Sequence, residues 1–235
     1  GDLEVEVKDG LKDEIGELAR SFNTMARDMK QLIENEYLVK IESQQATLRA
    51  LQSQINPHFV YNTLESISMM ALVKDHYEIV DMTQAFSLMM RYSMEPSPLV
   101  TVREELENVR NYVTIQKIRF PDRFQMEYQV EEACLEEKLP RLTIQPLVEN
   151  AFRHGFEDTP NHKQILVSIC RRRGFLELRI FNDGATVSHE RLARVRFLLD
   201  PDCQENTMDC YALRNLSRRL RLLFGEKSRV TLRSG

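Results

Sequence analysis

Glycine is scarce in this sequence. Only eight glycines occur among 235 residues, and no two of them stand in a G-x-G arrangement. Neither the G-x-G-x-x-G fingerprint of dinucleotide-binding folds nor the phosphate loop G-x-x-x-x-G-K-[ST] can therefore form. These two kinds of nucleotide site are excluded.

Cysteines and long apolar runs are also few. The four cysteines lack C-x-x-C spacing and lie in a chain rich in Lys, Arg and Glu, which predicts reduced thiols without zinc or disulfides. The longest apolar stretch, Ile67–Val73, includes Ser68 and is far shorter than the roughly 20 residues that span a bilayer. No signal peptide begins the chain, and we expect these 235 residues to be soluble.

An excess of positive charge is missing as well. The chain has 32 basic and 36 acidic residues and a net charge of -4, so its field does not favour nucleic acid. Hydrophobic residues make up 42% and charged residues 29%, which is typical of a folded globular chain. The length allows one large domain or two smaller ones.

The first part of the chain has the pattern of a coiled coil. Neither Pro nor Gly interrupts Glu17–Asn56, and the apolar residues follow a seam with alternating steps of three and four. Steps of four around Tyr37 indicate a stutter. A parallel homodimer is predicted, with a solvated single helix as the alternative. The seam comprises Ile15, Leu18, Phe22, Met25, Met29, Leu32, Leu48, Leu51 and Ile55.

Helices are predicted to continue after this rod. Pro57 should kink the chain, and a second helix is expected from Tyr77 to Met94, so that two antiparallel helices per chain form a four-helix bundle on dimerisation. Thr101 and Glu104 form a capping box that starts a helix through about Ile118, which links the bundle to the next region.

The second half changes to an α+β pattern, with helices on one face of a sheet and a domain start near residue 122. Alternation of polar and apolar residues predicts strands at Phe124–Val130, Gln164–Cys170, Phe175–Phe181 and Val230–Arg233. Helical patterns are found at Thr143–His154, Ser188–Leu199 and Leu213–Phe224.

Residues 56–64 read Asn-Pro-His-Phe-Val-Tyr-Asn-Thr-Leu. Taken alone, a histidine on a helix is more often a surface or packing residue. Here Asn62 lies one turn after His58 on the same face. An imidazole with a pKa of about 6.5 is largely neutral at cytosolic pH and can attack a phosphoryl group.

A second polar cluster lies on the helix predicted at Thr143–His154. Glu149, Asn150, Arg153 and His154 share one edge, while Leu142, Leu147, Val148 and Phe152 serve the core. A carboxylate, an amide, a cation and an imidazole on one edge can hold Mg²⁺ and a polyphosphate. The alternative is a polar face that is simply solvated.

The two strings together resemble the LytS/YesM-type sensor histidine kinases. Residues 56–64 match the family's phosphoacceptor pattern N-P-H-F-x-x-N-T-L, and residues 139–150 match its N-box with the Leu-Pro-x-Leu lead-in. The chain also contains segments similar to the second HAMP helix (residues 13–16 and 22–25) and two further family segments (residues 91–93 and 105–108). The resemblance covers nearly the whole chain.

The resemblance implies a GHKL-type α/β sandwich that binds ATP and Mg²⁺. It makes His58 the phosphoacceptor, with Asn62 and Glu149 as further catalytic residues. Asn150 would bind the magnesium, and Glu149 would support the ion or orient groups at the γ-phosphate. Arg153 and His154 would face the nucleotide.

The same resemblance implies a domain order and partners. It divides the chain into a partial HAMP coiled coil (1–35), dimerisation and phosphoacceptor helices (36–98), a linker helix (99–121) and the ATP-binding domain (122–235), to which family members usually add another strand. The expected protein is the cytoplasmic part of a bacterial membrane receptor. It would act as a homodimer and pass its phosphoryl group to a response-regulator receiver domain.

Two glycine loops depart from the family pattern. The adenine loop Asp-Asn-Gly-x-Gly is replaced by Asn182-Asp183-Gly184-Ala-Thr, in which Asn182 or Asp183 remains able to accept the adenine amino hydrogen. The lid Gly-x-Gly-Leu-x-Asn is replaced by Cys-Tyr-Ala-Leu213-Arg-Asn215, without its two glycines. A second hypothesis follows, in which the dimer is a pseudokinase-like signalling scaffold with weak or no ATP binding.

Overall fold

The computed structural model describes residues 21, 23–25, 56–155, 163–184, 187–200, 203 and 210–233. The chain divides into two units, Gly1–Val60 and Tyr61–Gly235. In the first unit, residue 21 and residues 23–25 are helical. The rest of the predicted coiled-coil seam and its stutter lie outside the described residues.

Helix α1, Pro57–Val73, begins at a proline, and the residue before it caps the helix. The side chain of Asn56 accepts a hydrogen bond from the Phe59 backbone N–H at 3.3 Å. Pro57 takes the first helical position, where a missing N–H costs no hydrogen bond. The kink predicted at Pro57 also involves residues before 56, which lie outside the described part of the chain.

Helix α2, Tyr77–Met94, has the predicted bounds. Tyr61, near the start of α1, donates to Met94 Sδ at 3.8 Å, and the Arg91 guanidinium lies 5.6 Å from the Tyr61 ring centroid. Tyr61 therefore lies beside the end of α2, and from Tyr61 onward α1 forms the predicted antiparallel pair with α2.

Helix α3, Val102–Arg119, begins with the predicted capping box. Glu104 N donates to Thr101 Oγ1 at 3.2 Å, and Thr101 N donates to Glu104 Oε2 at 2.7 Å. The apolar face of α3 is buried in the core of the sheet domain, through Val102, Leu106, Val109 and Val113. This helix is thus part of the core; its role as a linker and the boundary expected near residue 122 stay predictions.

The main sheet has the strand order β2–β4–β5, formed by β2 (Phe124–Val130), β4 (Lys163–Arg172) and β5 (Phe175–Asn182). Strand β2 is parallel to β4, and β4 is antiparallel to β5. On β4 the buried residues Ile165, Val167 and Ile169 alternate with more exposed neighbours and join the core formed with α3 and helix α4, Ile144–Gly155.

A second, smaller sheet was not predicted. Strands β1 (Leu99–Thr101) and β3 (Lys138–Pro140) pair antiparallel. Each has three residues, too few for an alternating pattern to stand out. A 3-10 turn, Glu132–Cys134, precedes β3.

The strand predicted at Val230–Arg233 is wrong. These residues have no regular structure, and the Leu232 carbonyl accepts hydrogen bonds from Arg196 Nε and Nη2 at 3.3 and 3.2 Å. A guanidinium, rather than a neighbouring strand, thus satisfies this carbonyl. A four-residue alternation was too short to distinguish a strand from an extended segment.

Helices α5 (His189–Leu198) and α6 (Tyr211–Phe224) complete the described elements. Ser188 caps α5 by accepting from Arg191 N at 3.3 Å. Helix α4 begins at Ile144, so Leu142 precedes the helix instead of lying on its apolar face as predicted.

The elements give a helical region followed by a mixed α/β sheet domain, consistent with a GHKL-type fold. The predicted α+β class is confirmed. Within the described part of the chain, no helix has the length and apolar character needed to cross a membrane.

Candidate active site

The predicted phosphoacceptor lies on α1. His58 and Asn62 are four residues apart on this helix, one turn from each other, and both are exposed to solvent. Ser66 Oγ, one turn further along the helix, donates to the Asn62 carbonyl at 2.8 Å.

Helix α4 carries the second predicted cluster on an exposed edge. Gln145 Nε2 donates to Glu149 Oε1 at 2.7 Å, and Arg153 Nη2 donates to Asn150 Oδ1 at 2.9 Å. Glu149 and Arg153 are exposed and Asn150 is half-buried. The structure thus places three of the four predicted residues along one edge. His154 lies on the same helix, and its side chain is outside the described part.

The opposite face of α4 holds the helix against the core. Val148 and Phe152 are buried as predicted, whereas Leu147 is half-buried. The Phe152 ring packs edge-on against Phe124 and Tyr112, with centroid distances of 4.7 and 5.5 Å. Burial, with a smaller contribution from the charge of Glu149, raises the pKa of Tyr112 to about 12.

The donor set of this edge fits a magnesium–phosphate ligand. Mg²⁺ prefers oxygen ligands and is usually held by one or two protein carboxylates together with phosphate oxygens. Glu149 and Asn150 supply a carboxylate and an amide oxygen, and Arg153 supplies a cation for phosphate. Across the described residues no cluster of three or more His, Cys, Asp and Glu side chains is suited to a metal.

A buried carboxylate lies beneath the start of α4. Glu105, on α3, is 0% exposed. Its oxygens accept from the backbone N–H groups of Leu142, Thr143 and Ile144 at 2.6, 2.9 and 2.7 Å. The hydroxyl of Tyr92, on α2, also donates to Glu105.

Sequence reasoning missed this arrangement. Glu105 follows the capping box and reads as an acid in the first turn of α3, in a segment that fits the family pattern. Its backbone partners lie 37 to 39 residues away along the chain and Tyr92 lies 13 residues away, and no local pattern identifies them.

Two arginines surround the same junction. Arg141 is buried; it donates to the carbonyls of Tyr92 and Ser97 at 2.6 and 2.9 Å, and its guanidinium lies 4.4 Å from the Tyr92 ring centroid. Arg219, on α6, donates to the Leu142 carbonyl at 3.0 Å. Burial and the bond to Glu105 raise the pKa of Tyr92 well above its usual range, and burial lowers the pKa of Arg219.

The predicted adenine loop follows β5. Asn182 is the last residue of that strand. Asp183 Oδ1 accepts from Gln164 N at 2.8 Å, and Asp183 N donates to the Gln164 carbonyl at 3.2 Å. Asp183 thus extends the contact between β5 and β4. Gly184 is half-buried, and the next two residues lie outside the described part.

The first position of the predicted lid motif has a left-handed backbone although it is not a glycine. Cys210, at the first glycine of the lid motif, has φ 61° and ψ 20°, in the left-handed region that glycine favours. It precedes α6, whose first turns contain the half-buried Leu213 and the exposed Asn215.

Comparison with known proteins identifies the class. Residues 46–124 match the family described as histidine kinase, and residues 1–31 match the HAMP domain. These two ranges contain His58 and the predicted HAMP segments.

The relatives are sensor histidine kinases. YesM, the sensor histidine kinase of Bacillus subtilis, is 33% identical over 174 residues, which are 74% of this chain and 30% of YesM. The sensor protein LytS of Enterococcus faecalis is 31% identical over 214 residues, 90% of this chain and 35% of LytS. The chain thus spans about a third of the length of these relatives. The resemblance to LytS/YesM-type sensor histidine kinases is confirmed over most of the chain.

Among solved structures, a histidine kinase domain from Erythrobacter litoralis EL346 blue-light activated histidine kinase aligns with 69% of this chain and 83% of its own. The sequence identity is 12% and the TM-score is 0.38.

Proposed function

We propose that this chain is the cytoplasmic part of a two-component sensor histidine kinase that uses ATP and Mg²⁺ to phosphorylate His58 and then passes the phosphoryl group to an aspartate of a response regulator. The observation that carries the proposal is the Glu149–Asn150–Arg153 edge of α4, where Glu149 and Arg153 are exposed and Asn150 is half-buried, above a buried apolar face. The match of residues 46–124 to the histidine kinase family supports it.

In the proposed reaction, a ring nitrogen of His58 forms a bond to the γ-phosphorus of ATP. The bond between that phosphorus and the β–γ bridging oxygen breaks, ADP leaves with the electron pair, and the ring gives up a proton. Asn62, one turn away on α1, would orient the imidazole. Since phosphoryl transfer depends mainly on positioning and charge stabilisation, the chain's task is to hold the two reactants in line.

The edge of α4 would bind the nucleotide. Asn150, with Glu149 beside it, would hold Mg²⁺, which when bound neutralises charge that develops on the phosphates. Arg153 and His154 would contact the phosphates. Asn182, Asp183 and Gly184 would receive the adenine, and Leu213 and Asn215 would close over the nucleotide from α6.

We further propose a homodimer formed through the helical region. The antiparallel pair α1–α2 leaves many large apolar side chains exposed, and a surface of this kind is commonly covered by a partner. In the full receptor, a HAMP module and membrane segments would precede these helices, as the match of residues 1–31 to HAMP suggests. On α1 and α2 beyond residue 60, the exposed large apolar side chains are Ile67, Met69, Met70, Leu72, Val73, Tyr77, Ile79, Phe86, Leu88 and Met94.

Calorimetry with ATP and Mg²⁺ tests the nucleotide site. Because the lid lacks its glycines, we expect a Kd of hundreds of micromolar, which corresponds to roughly 5 kcal/mol. His58→Gln should bind equally well, since it leaves α4 unchanged. Asn150→Asp should lose binding because the altered group disturbs nucleotide and metal geometry. Absence of heat at millimolar ATP in the unsubstituted chain would contradict the site.

The backbone of Cys210 favours a second candidate function. A non-glycine residue at φ 61° and Ala212 at the other glycine position leave less freedom for backbone amides to close on phosphates. In this alternative the dimer transmits conformation to a partner as a pseudokinase-like scaffold, and the calorimetry would register no nucleotide binding.

A further inference from the structure

Three helices meet at the turn that starts α4. Tyr92 is near the end of α2, Glu105 is on α3, and Arg219 is on α6. Glu105 and Arg219 bind the backbone of this turn directly, and Tyr92 reaches it through its hydrogen bond to Glu105. The turn contains Leu142, which has φ 57°, and is followed by the first residue of α4.

The Glu105 carboxylate determines where α4 begins. A helix start leaves backbone N–H groups unpaired, and a carboxylate there also interacts favourably with the helix dipole. Glu105 accepts from three consecutive N–H groups, those of Leu142, Thr143 and Ile144, on its two oxygens. These charge-assisted bonds compensate for the complete burial of the carboxylate and fix the start of the helix in one position.

The hydroxyl of Tyr92 connects this cap to α2. It donates to the Glu105 oxygen that also accepts from Leu142 N. Arg141 stacks on the Tyr92 ring and binds the Tyr92 carbonyl, which holds the end of α2 against the same turn. On the other side, Arg219 Nη2 binds the Leu142 carbonyl.

We propose that Glu105 is a positioning residue for the Glu149–Asn150 edge of α4, and that the Tyr92 hydroxyl couples the position of α2 to that edge. The inference rests on the proposed function. Glu149 is five residues beyond Ile144, about 7.5 Å along the helix axis, so a shift of the helix start displaces the edge. A misplacement of about 1 Å is enough to slow a positioned reaction by about 100-fold.

The first test is Tyr92→Phe in the 235-residue chain. The substitution removes one hydroxyl but keeps the ring under Arg141 and the three backbone bonds to Glu105. We therefore expect the kcat of autophosphorylation to fall about tenfold while the KM for ATP stays within twofold. A general loss of packing would instead lower affinity and thermal stability together.

Tyr128→Phe is the matched control. The Tyr128 hydroxyl is buried in the sheet domain and has no hydrogen-bond partner among the described residues. Tyr128→Phe removes a tyrosine hydroxyl, as Tyr92→Phe does, but this hydroxyl makes no hydrogen bond among the described residues. The kcat should therefore stay unchanged. If Tyr92→Phe also leaves kcat unchanged, or lowers it only together with Tm and ATP affinity, the coupling through Tyr92 is refuted.

A second measurement does not depend on kinase activity. In Glu105→Gln, the amide group cannot accept on both of its polar atoms, so the backbone N–H groups of residues 142–144 should exchange with solvent at least tenfold faster. The exchange of the backbone N–H groups of β4 serves as the internal reference. If the unsubstituted chain has no kinase activity, the proposed function fails, but this exchange still tests the positioning role. Unchanged exchange at 142–144 would overturn it.

Discussion

Cys210 shows how one residue affects the lid of the candidate site. Its φ of 61° lies where a Cβ atom is crowded, and a residue other than glycine pays about 1 to 2 kcal/mol to stay there. Part of this cost is offset because a non-glycine side chain restricts the unfolded chain. The position therefore retains the backbone path of a glycine motif without the glycine.

Cys210→Gly should raise the free energy of unfolding by about 0.5 to 1 kcal/mol, because glycine adopts this conformation without the steric cost. Urea denaturation measures the change. Cys210→Ala is the control, since it removes the thiol but keeps the Cβ atom, and its stability should stay near that of the unsubstituted chain. A glycine variant no more stable than the alanine variant would show that the left-handed backbone carries no cost here.

At the scale of single elements, the capping box of α3 lowers the pKa of Glu104, one of its own residues. The backbone N–H and the hydroxyl of Thr101 both donate to Glu104, and these bonds lower the pKa of its carboxyl. A carboxyl whose pKa is lowered by folding stabilises the protein above its unfolded pKa, and this contribution is lost as the pH falls through the folded pKa.

Thr101→Ala should destabilise the chain by about 1 kcal/mol at pH 7, the usual cost of losing an N-cap. Because the substitution removes the hydroxyl bond that lowers the Glu104 pKa, the difference should shrink as the pH falls below the ordinary glutamate pKa. Denaturation at pH 7 and in mild acid measures it. Thr114→Ala is the control: its hydroxyl binds the Arg110 carbonyl within the same helix, so its effect should not vary with pH. A deficit equal at both pH values would contradict the link to Glu104.

Element prediction succeeded where local patterns were long. The alternation of Phe124–Val130 and the apolar face of Tyr77–Met94 predicted the exact bounds of β2 and α2. The three-residue strands β1 and β3 were missed because their pairing joins segments far apart in the chain. Val230–Arg233 was wrongly predicted as a strand because a short alternation carries no information about a neighbouring strand.

At the scale of the whole molecule, the candidate site was only partly accessible from sequence. The polar edge of α4 follows from the helical period, which places Glu149, Asn150 and Arg153 together. The support beneath it does not, because Tyr92, Glu105 and Arg219 belong to three helices and meet only in the folded chain. The motifs therefore predicted the groups proposed to contact the nucleotide, whereas the contacts among the groups proposed to position them required the structure.

The central claim is that this chain transfers the γ-phosphoryl group of ATP to His58. The most direct measurement is incorporation of label from γ-labelled ATP in the presence of Mg²⁺, with His58→Gln and Asn150→Asp tested in parallel. We predict acid-labile label in the unsubstituted chain and none in either variant, with ATP binding retained only in His58→Gln. An unsubstituted chain that incorporates no label, or a His58→Gln chain that incorporates as much as the unsubstituted one, would contradict the account.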